Sequence, residues 1–505
     1  MRERPMLLGV LLSSALLWAC GGSSPSPDAS VDAGTRSDGG TDGGWQPSPA
    51  QVAAWNQYLA WAGSQLPASG TPGASIAVVL DGHVAFAAGV GKKRYDASDP
   101  VTTSTRFRAA SMSKMILAAT AMTLVDEGKL DLSLPITHYL PWFTLQTPFD
   151  PSSITTSELL SHNAGFPCDT IPQCDTTSSG PRQTYFAANP QPLWAPPGQI
   201  YDYSNSGFAL ASLVLTSAAG VTDDGFEQLV AQRIFTPVGM TTATYDAVAT
   251  TAGDHALGHE LNSNGTLSFT TEPSDFACPL LDPPGGIAAT ASDYAAFAAM
   301  LIARGDGILS PASVAAMEAP HVSMNTFATQ EYGYALISQG YPYGAHSLVW
   351  HNGSLPGYLS EMLMVPDFGF AVVVLTNGRG AQDMSDAMAV QALNAFLPET
   401  QTWPCPGACA TPPSDWAAYA GTYIDPYGQL GAVTVSLATD GGVTSLAVNA
   451  PDASYFGTPA PILGPAAQFA TDTWTLPDGT GATFFRTDAG VVEWLVTRRG
   501  VALRQ

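Results

Sequence analysis

A chain of 505 residues can bury a large core and divide into two domains. With 45% hydrophobic and 12% charged residues its composition is that of a globular protein, which excludes a disordered chain. The formal net charge of -24 repels polyanions, so it opposes nucleic-acid binding and electrostatic docking on anionic lipid.

Residues 1–19 read as a targeting segment. Arg2 and Arg4 give a positive start, and Met6 to Trp18 is an apolar run too short to span a bilayer. The run ends in Leu17-Trp18-Ala19-Cys20-Gly21, which resembles a bacterial lipobox. On that resemblance Cys20 is lipidated and becomes the first residue of the mature chain. The alternative is an ordinary signal peptide cleaved near Ala19. Residues 20–47 are rich in Gly, Ser, Asp, Pro and Thr and cannot offset their ordering entropy, so they read as a flexible tether. Anchor, tether and globular body together predict a lipid-anchored protein of the bacterial cell envelope, at the outer membrane or periplasmic face.

Cys168 and Cys174 are close in sequence, as are Cys405 and Cys409, and export permits both local disulfides. Cys278 would then be left over. A Cys174–Cys278 pairing is also open, because connectivity does not follow from sequence. None of these cysteines stands at zinc-ligand spacing from a His or a second Cys.

Ser48-Pro49 opens a helix whose face repeats Val52, Trp55, Leu59, Ala62 and Leu66. Ala74 to Leu80 and His83 to Ala88 form a hairpin about Asp81-Gly82. The stretch Phe107-Arg108-Ala109-Ala110-Ser111-Met112-Ser113-Lys114 opens an apolar run from Met115 to Val125, a buried helix with Ser111 in its first turn. Tyr203-Ser204-Asn205 precedes a helix from Phe208 to Ser217. Ser292-Asp293 caps a helix through Met300.

Leu348 to Trp350 is a strand leading into His351-Asn352-Gly353-Ser354. Glu361 to Val365 and Phe370 to Leu375 are two more, joined by a Pro-Asp-Phe-Gly turn. Two strands, a helical middle and three more strands predict an α+β domain over 48–400, an antiparallel sheet built from both ends with helices flanking it. Residues 401–413 read as a linker. Short strands between Gly/Asp turns over 414–505 predict a smaller all-β domain, a barrel or a sandwich.

Three constellations carry chemistry. A serine and a lysine three apart on a helix share a face, so the ammonium of Lys114 can lower the cost of ionising the Ser111 hydroxyl. Tyr203 and Asn205 form the second pair, and His351 with Gly353 the third. Any one alone has an ordinary explanation: a helix cap, a turn before a helix, a strand-end histidine. Together, in this order, and with Phe107-Arg108, the segment Leu159 to Pro167, Pro237 to Met240 and Gly285-Gly286, they make the stretch from about 70 to 395 resemble the serine β-lactamase-related family. That family includes class C β-lactamases, D-alanyl-D-alanine carboxypeptidases, D-aminopeptidases and esterases.

The resemblance implies roles. Ser111 would be the acyl-accepting nucleophile, and Lys114 with Tyr203 would move its proton. Asn205 would orient Lys114 and contact a substrate amide, and the backbone N–H groups of Ser111 and Ser354 would form an oxyanion hole. No metal or cofactor is implied. One departure matters: class C β-lactamases commonly carry Lys-Thr-Gly where this chain has His351-Asn352-Gly353. A permanent charge facing a substrate carboxylate becomes a titratable one. This favours a carboxypeptidase- or esterase-like serine hydrolase, acting on a D-amino-acid peptide, an ester or a β-lactam-type substrate, over an efficient β-lactamase. The rivals are a catalytically idle envelope binding protein using the same cleft, and a protein whose main function lies in the β domain. His255 and His259 are four apart, but Gly258 breaks the helix that a zinc pair would need.

Overall fold

Ser48 accepts the Gln51 N–H and Gln51 reaches back to the Ser48 N–H, a reciprocal cap that starts α1 (Pro49–Ser69). Gly70, at φ 75°, ends it. The computed structural model describes residues 44–398 apart from 147, 168–180, 271–277, 325–329 and 344–345. It also describes 416–505 apart from 426–429, 441–442, 456–457, 460, 471–472, 477–480, 487–489 and 498–499. The targeting segment, Cys20, the tether up to residue 43, the linker 401–413, and cysteines 168, 174, 405 and 409 lie outside these residues. Cys278 is buried.

Two compact units emerge, one spanning most of 31–403 and the other 404–505. In the first, β1 (Gly73–Leu80) turns at Asp81 and Gly82, both at positive φ, into β2 (His83–Gly91). The Asp-Gly signal therefore holds: both residues adopt the left-handed conformation that a tight hairpin requires. The later strands are β3 (Val322–Ser323), β4 (Gln330–Tyr332), β5 (Ile337–Tyr343), β6 (His346–Leu355), β7 (Tyr358–Val365) and β8 (Phe370–Thr376). Among the described residues the sheet order is β2-β1-β8-β7-β6-β5-β4-β3, antiparallel throughout. The N-terminal hairpin closes on β8, so the sheet is built from both ends of the unit, as the element order predicts.

The pleat sorts β1 and β8 between two cores. Ala77, Val79, Val373 and Leu375 join one face, and Ile76, Val78, Val372 and Val374 the other. The second face packs on α1 and α5 (Met384–Phe396). The first carries α2 (Ser113–Asp126), α3 (Asn205–Ala219) and α4 (Ala291–Ile302). From Ser113 to Leu124, α2 is buried on every side, which its unbroken apolar run foretells.

Two details differ from the sequence reading. Thr290, not Ser292, caps α4; Thr290 and Asp293 cap each other reciprocally, and that three-residue spacing decides the cap. Ser111 sits in a 3₁₀ turn, Ala110–Met112, that leads into α2.

The second unit is a closed antiparallel barrel. Its strands are β9 (Gly421–Ile424), β10 (Ala432–Asp440), β11 (Val443–Ala450), β12 (Ile462–Ala470), β13 (Thr473–Thr475), β14 (Gly481–Arg486), β15 (Val492–Thr497) and β16 (Gly500–Arg504). β9 pairs with β16 to close the ring. Tyr423, Val435, Leu446, Trp474, Phe484 and Leu495 fill its core.

Candidate active site

The turn that presents Ser111 is pinned from several sides. Ala110 holds a left-handed φ of 50°, a strained state for a residue with a Cβ. Ser113 donates to the Ala110 carbonyl (2.7 Å) and accepts the Ile287 N–H (3.1 Å). Ala109 donates to Ile287, and its carbonyl accepts the Ser360 hydroxyl at 2.8 Å. The strain at Ala110 is held by hydrogen bonds reaching in from the sheet and from the segment before α4.

Lys114 is fully buried. Its Nζ donates to Ser111 Oγ (3.2 Å), Asn205 Oδ1 (2.8 Å) and the Pro284 carbonyl (3.0 Å). An ammonium has three donors, and here each meets an oxygen, which is what allows a charge at this depth. Nζ also lies 4.7 Å from the centre of the Tyr203 ring and 5.6 Å from that of Phe208. Pro284 belongs to a short helix, Asp282–Gly285. Burial, then Glu227, pushes the Asp282 carboxyl up to about 8, against the pull of Arg108. Burial therefore favours the protonated form of Asp282.

Asn205 opens α3, with Ser204 as its cap accepting the Gly207 N–H. The loop before it is tied to His162. His162 Nδ1 accepts the Ser204 N–H (3.0 Å) and the His162 carbonyl accepts the Asp202 N–H (2.7 Å). The imidazole packs 4.2 Å from the Tyr203 ring. Burial first, then Lys114 and His351, hold its pKa well below the usual value, so it is neutral. Because Nδ1 accepts, the proton is on Nε2, which has no hydrogen-bond partner among the described residues.

The third motif lies on β6. His351 is 1% exposed. Its Nδ1 lies 2.6 Å from the Asn352 carbonyl and its Nε2 3.0 Å from Tyr332 Oη. A carbonyl only accepts, so Nδ1 carries a proton, and Nε2 shares its hydrogen bond with the tyrosine hydroxyl. Gly353 has a steric reason to be glycine: a Cβ there would lie 2.4 Å from Ser360 Oγ, 2.5 Å from the Ala109 carbonyl and 2.9 Å from the Ala110 Cβ. β6 is thereby laid against the nucleophile turn, with Ser354 next along the strand and exposed.

Ser111, Lys114, Tyr203 and Asn205 converge from the 3₁₀ turn, α2 and the segment that opens α3, and β6 brings His351 to Ser354 alongside. Reading motifs alone missed His162, Tyr332 and the Pro284 carbonyl. His162 lies in the Leu159 to Pro167 segment, and its φ of 59° marks it as unusual; Tyr332 carries no local signal. His259 does not face a metal: its Nε2 accepts the Tyr95 N–H and its Nδ1 bonds the Asn377 carbonyl.

Comparison with known proteins bears on the family and the fold. The chain is 30% identical over 322 residues to the unguisins hydrolase ungD' of Aspergillus campestris (strain IBT 28561), a match over 61% of this chain and 58% of that protein. The chain thus spans under two thirds of that relative's length. The crystal structure of SurE superposes with a TM-score of 0.70 at 21% identity, covering 90% of this chain and 100% of that one. The D-amino acid amidase from Ochrobactrum anthropi SV3, complexed with L-phenylalanine amide, gives 0.56 at 22%, covering 67% and 98%. These likenesses show a shared α+β fold of β-lactamase/transpeptidase type. The family model described as Beta-lactamase matches residues 56–395, a span that holds every side chain of the cluster around Ser111. By that match over more than half its length, and with a Ser-x-x-Lys pair set at the start of a buried helix beside an antiparallel sheet, the chain belongs to the beta-lactamase family.

Proposed function

We propose that this protein is a serine hydrolase that cleaves an ester or amide through an acyl-enzyme. The observation that carries the reading is Lys114: fully buried, held by three acceptors, one of them Ser111 Oγ at 3.2 Å. A buried charge fixed on a serine hydroxyl lowers the cost of an alkoxide there.

In this reading Ser111 Oγ attacks the carbonyl carbon. Its proton passes to the Lys114–Tyr203 pair and on to the leaving oxygen or nitrogen, and the acyl group stays on Oγ. A tyrosine near pKa 10 needs adjacent positive charge to take part, and Lys114 supplies it. The N–H groups of Ser111 and Ser354 hold the oxyanion, each worth roughly 3 kcal/mol of transition-state stabilisation. Water then attacks the ester, and the same pair takes its proton and returns one to Ser111 Oγ. The amidase and hydrolase among the similar proteins support an amide or ester substrate. The lipobox-like Cys20 supports a place at the bacterial envelope, anchored by acyl chains.

The test is intact mass against time for residues 45–505 mixed with a short-chain ester or a penicillin, with Ser111→Ala alongside. An acyl adduct or steady turnover in wild type, absent from the variant, is expected. Equal turnover by Ser111→Ala, or no reaction with any ester or amide, would overturn the reading.

A further inference from the structure

The geometry points to His162 as a positioning residue for Tyr203: it clamps the backbone on both sides of that tyrosine and packs against its ring, which fixes where the phenol hydroxyl stands during proton transfer. The inference rests on the serine-hydrolase reading, in which Tyr203 moves a proton, and adds to it a residue that acts through Tyr203.

Tyr203 is half-buried and lies in the irregular segment just before α3. Such a segment has no ladder or helix of its own to hold a side chain still. Both neighbours of Tyr203 are tied instead to one residue. The His162 carbonyl accepts the Asp202 N–H at 2.7 Å, and His162 Nδ1 accepts the Ser204 N–H at 3.0 Å. Between those two bonds the imidazole lies 4.2 Å from the Tyr203 ring, tilted by 37°. The contacts bracket a single residue, and that residue bears the phenol nearest Lys114.

The clamp carries strain. His162 holds a φ of 59°, a left-handed state that residues with a Cβ rarely adopt. In that state its carbonyl and its ring both reach residues 202–204. The turn around it is fixed to its surroundings. The Asn163 N–H donates to the Glu158 carbonyl (3.1 Å), the Asn163 carbonyl accepts the Gly198 N–H (2.8 Å), and the Gly165 carbonyl accepts the Trp194 N–H (2.8 Å). The rings of Phe208 and Tyr332, each centred 4.8 Å away, and of Tyr201 at 5.9 Å pack against the imidazole. Nε2 is buried and has no hydrogen-bond partner among the described residues. With Nδ1 committed to a backbone amide, the ring has no route by which to pass a proton itself, so its effect on the reaction goes through Tyr203.

The test is kcat and KM for phenyl acetate with the full chain in detergent. It compares wild type, His162→Phe, His162→Asn, Tyr203→Phe and the double variant His162→Phe/Tyr203→Phe. Phenylalanine keeps a ring against Tyr203 and removes the acceptor. Asparagine tolerates positive φ, and its Oδ1 can take the place of Nδ1. His162→Phe should lower kcat about tenfold to a hundredfold while KM moves by less than about threefold, as for a misplaced group rather than lost substrate binding. His162→Asn should recover most of that loss. In the Tyr203→Phe background, His162→Phe should cost less than about twofold more, because the hydroxyl it positions is gone. A merely structural role would give the same fold loss in both backgrounds. That result would overturn the inference and leave the hydrolase reading standing. So would an unchanged kcat in His162→Phe or in Tyr203→Phe, or an asparagine variant as slow as the phenylalanine one. If His162→Phe does not fold, His162→Ala, which removes the same acceptor, takes its place in both backgrounds. If wild type cleaves neither phenyl acetate nor any other ester or amide, the hydrolase reading itself fails and this inference with it.

Discussion

A buried ammonium is held by its partners, and removing one leaves the charge to find another. Asn205→Ala should cost roughly 1–3 kcal/mol of folding stability, because Lys114 loses its shortest contact at 2.8 Å. It should also slow acylation of Ser111, since Nζ no longer has a fixed position. Thermal melting and burst-phase mass spectrometry check the two effects separately. His162 gives a second prediction. Its pKa is depressed in the folded protein, by burial first and then by Lys114 and His351. As pH falls through about 6.5 the unfolded chain takes up a proton that the folded chain does not. The unfolded state then binds more protons, so stability falls with decreasing pH, by up to about 1.4 kcal/mol per unit from this group. His162→Phe should be less stable at both pH 7.5 and pH 5.5, having lost the acceptor for Ser204. The drop between the two pH values in urea melts should, however, be smaller than in wild type; equal drops would contradict this account. Ser111 and Lys114 are legible in the sequence because a spacing of three puts both on one helical turn. His162 is not, because its value lies in contacts with residues 202–204, which only the folded chain brings near.

At the scale of elements, β6 and the nucleophile turn share a surface that leaves no room for a methyl group at Gly353. Gly353→Ala should push the strand off Ala109 and Ala110, whose backbone cannot swing aside as a side chain would. A displacement near 1 Å is enough to cost about 10²-fold in kcat, so catalysis should fall further than the melting temperature suggests. On the other face of the sheet, Glu361 of β7 lies buried near the start of α5. Burial, then Asp386 and Asp383, push its carboxyl well up, and burial pushes Asp386 to about 6. Here the folded chain keeps protons that the unfolded chain releases above about 4.3, so stability falls as pH rises. Glu361→Gln, which mimics the protonated acid, should therefore stabilise the protein more at pH 8 than at pH 5 in thermal melts. Hairpins and long apolar helices were readable because their signals are local: Asp81-Gly82 and the run through Val125. The start of α4 was misread because Thr290 and Ser292 are both good caps, and only the spacing to Asp293 separates them. Strand β12 was hidden because Gly464 and Pro465 interrupt its alternation.

For the whole molecule, the side chains around Ser111 and both hydrophobic cores of the sheet belong to the first unit. A chain ending at residue 403 should fold and still acylate at Ser111, with mass spectrometry as the readout. Failure to acylate would overturn this expectation. The joining of both chain ends into one sheet was legible from the order of strands and helices. The choice between barrel and sandwich was not, because closure depends on Tyr423 opposing Arg504, a pairing of first and last strands that no local pattern encodes. That closure also governs what this unit can meet. An open sheet ends in strands whose unpaired amides and carbonyls invite another chain to zip on. A ring has no such ends, so the eight strands of the barrel offer no edge for a second copy to add to. Recognition there must pass through side chains, and Leu463 and Val491, each more than half exposed, are apolar ones already facing outward.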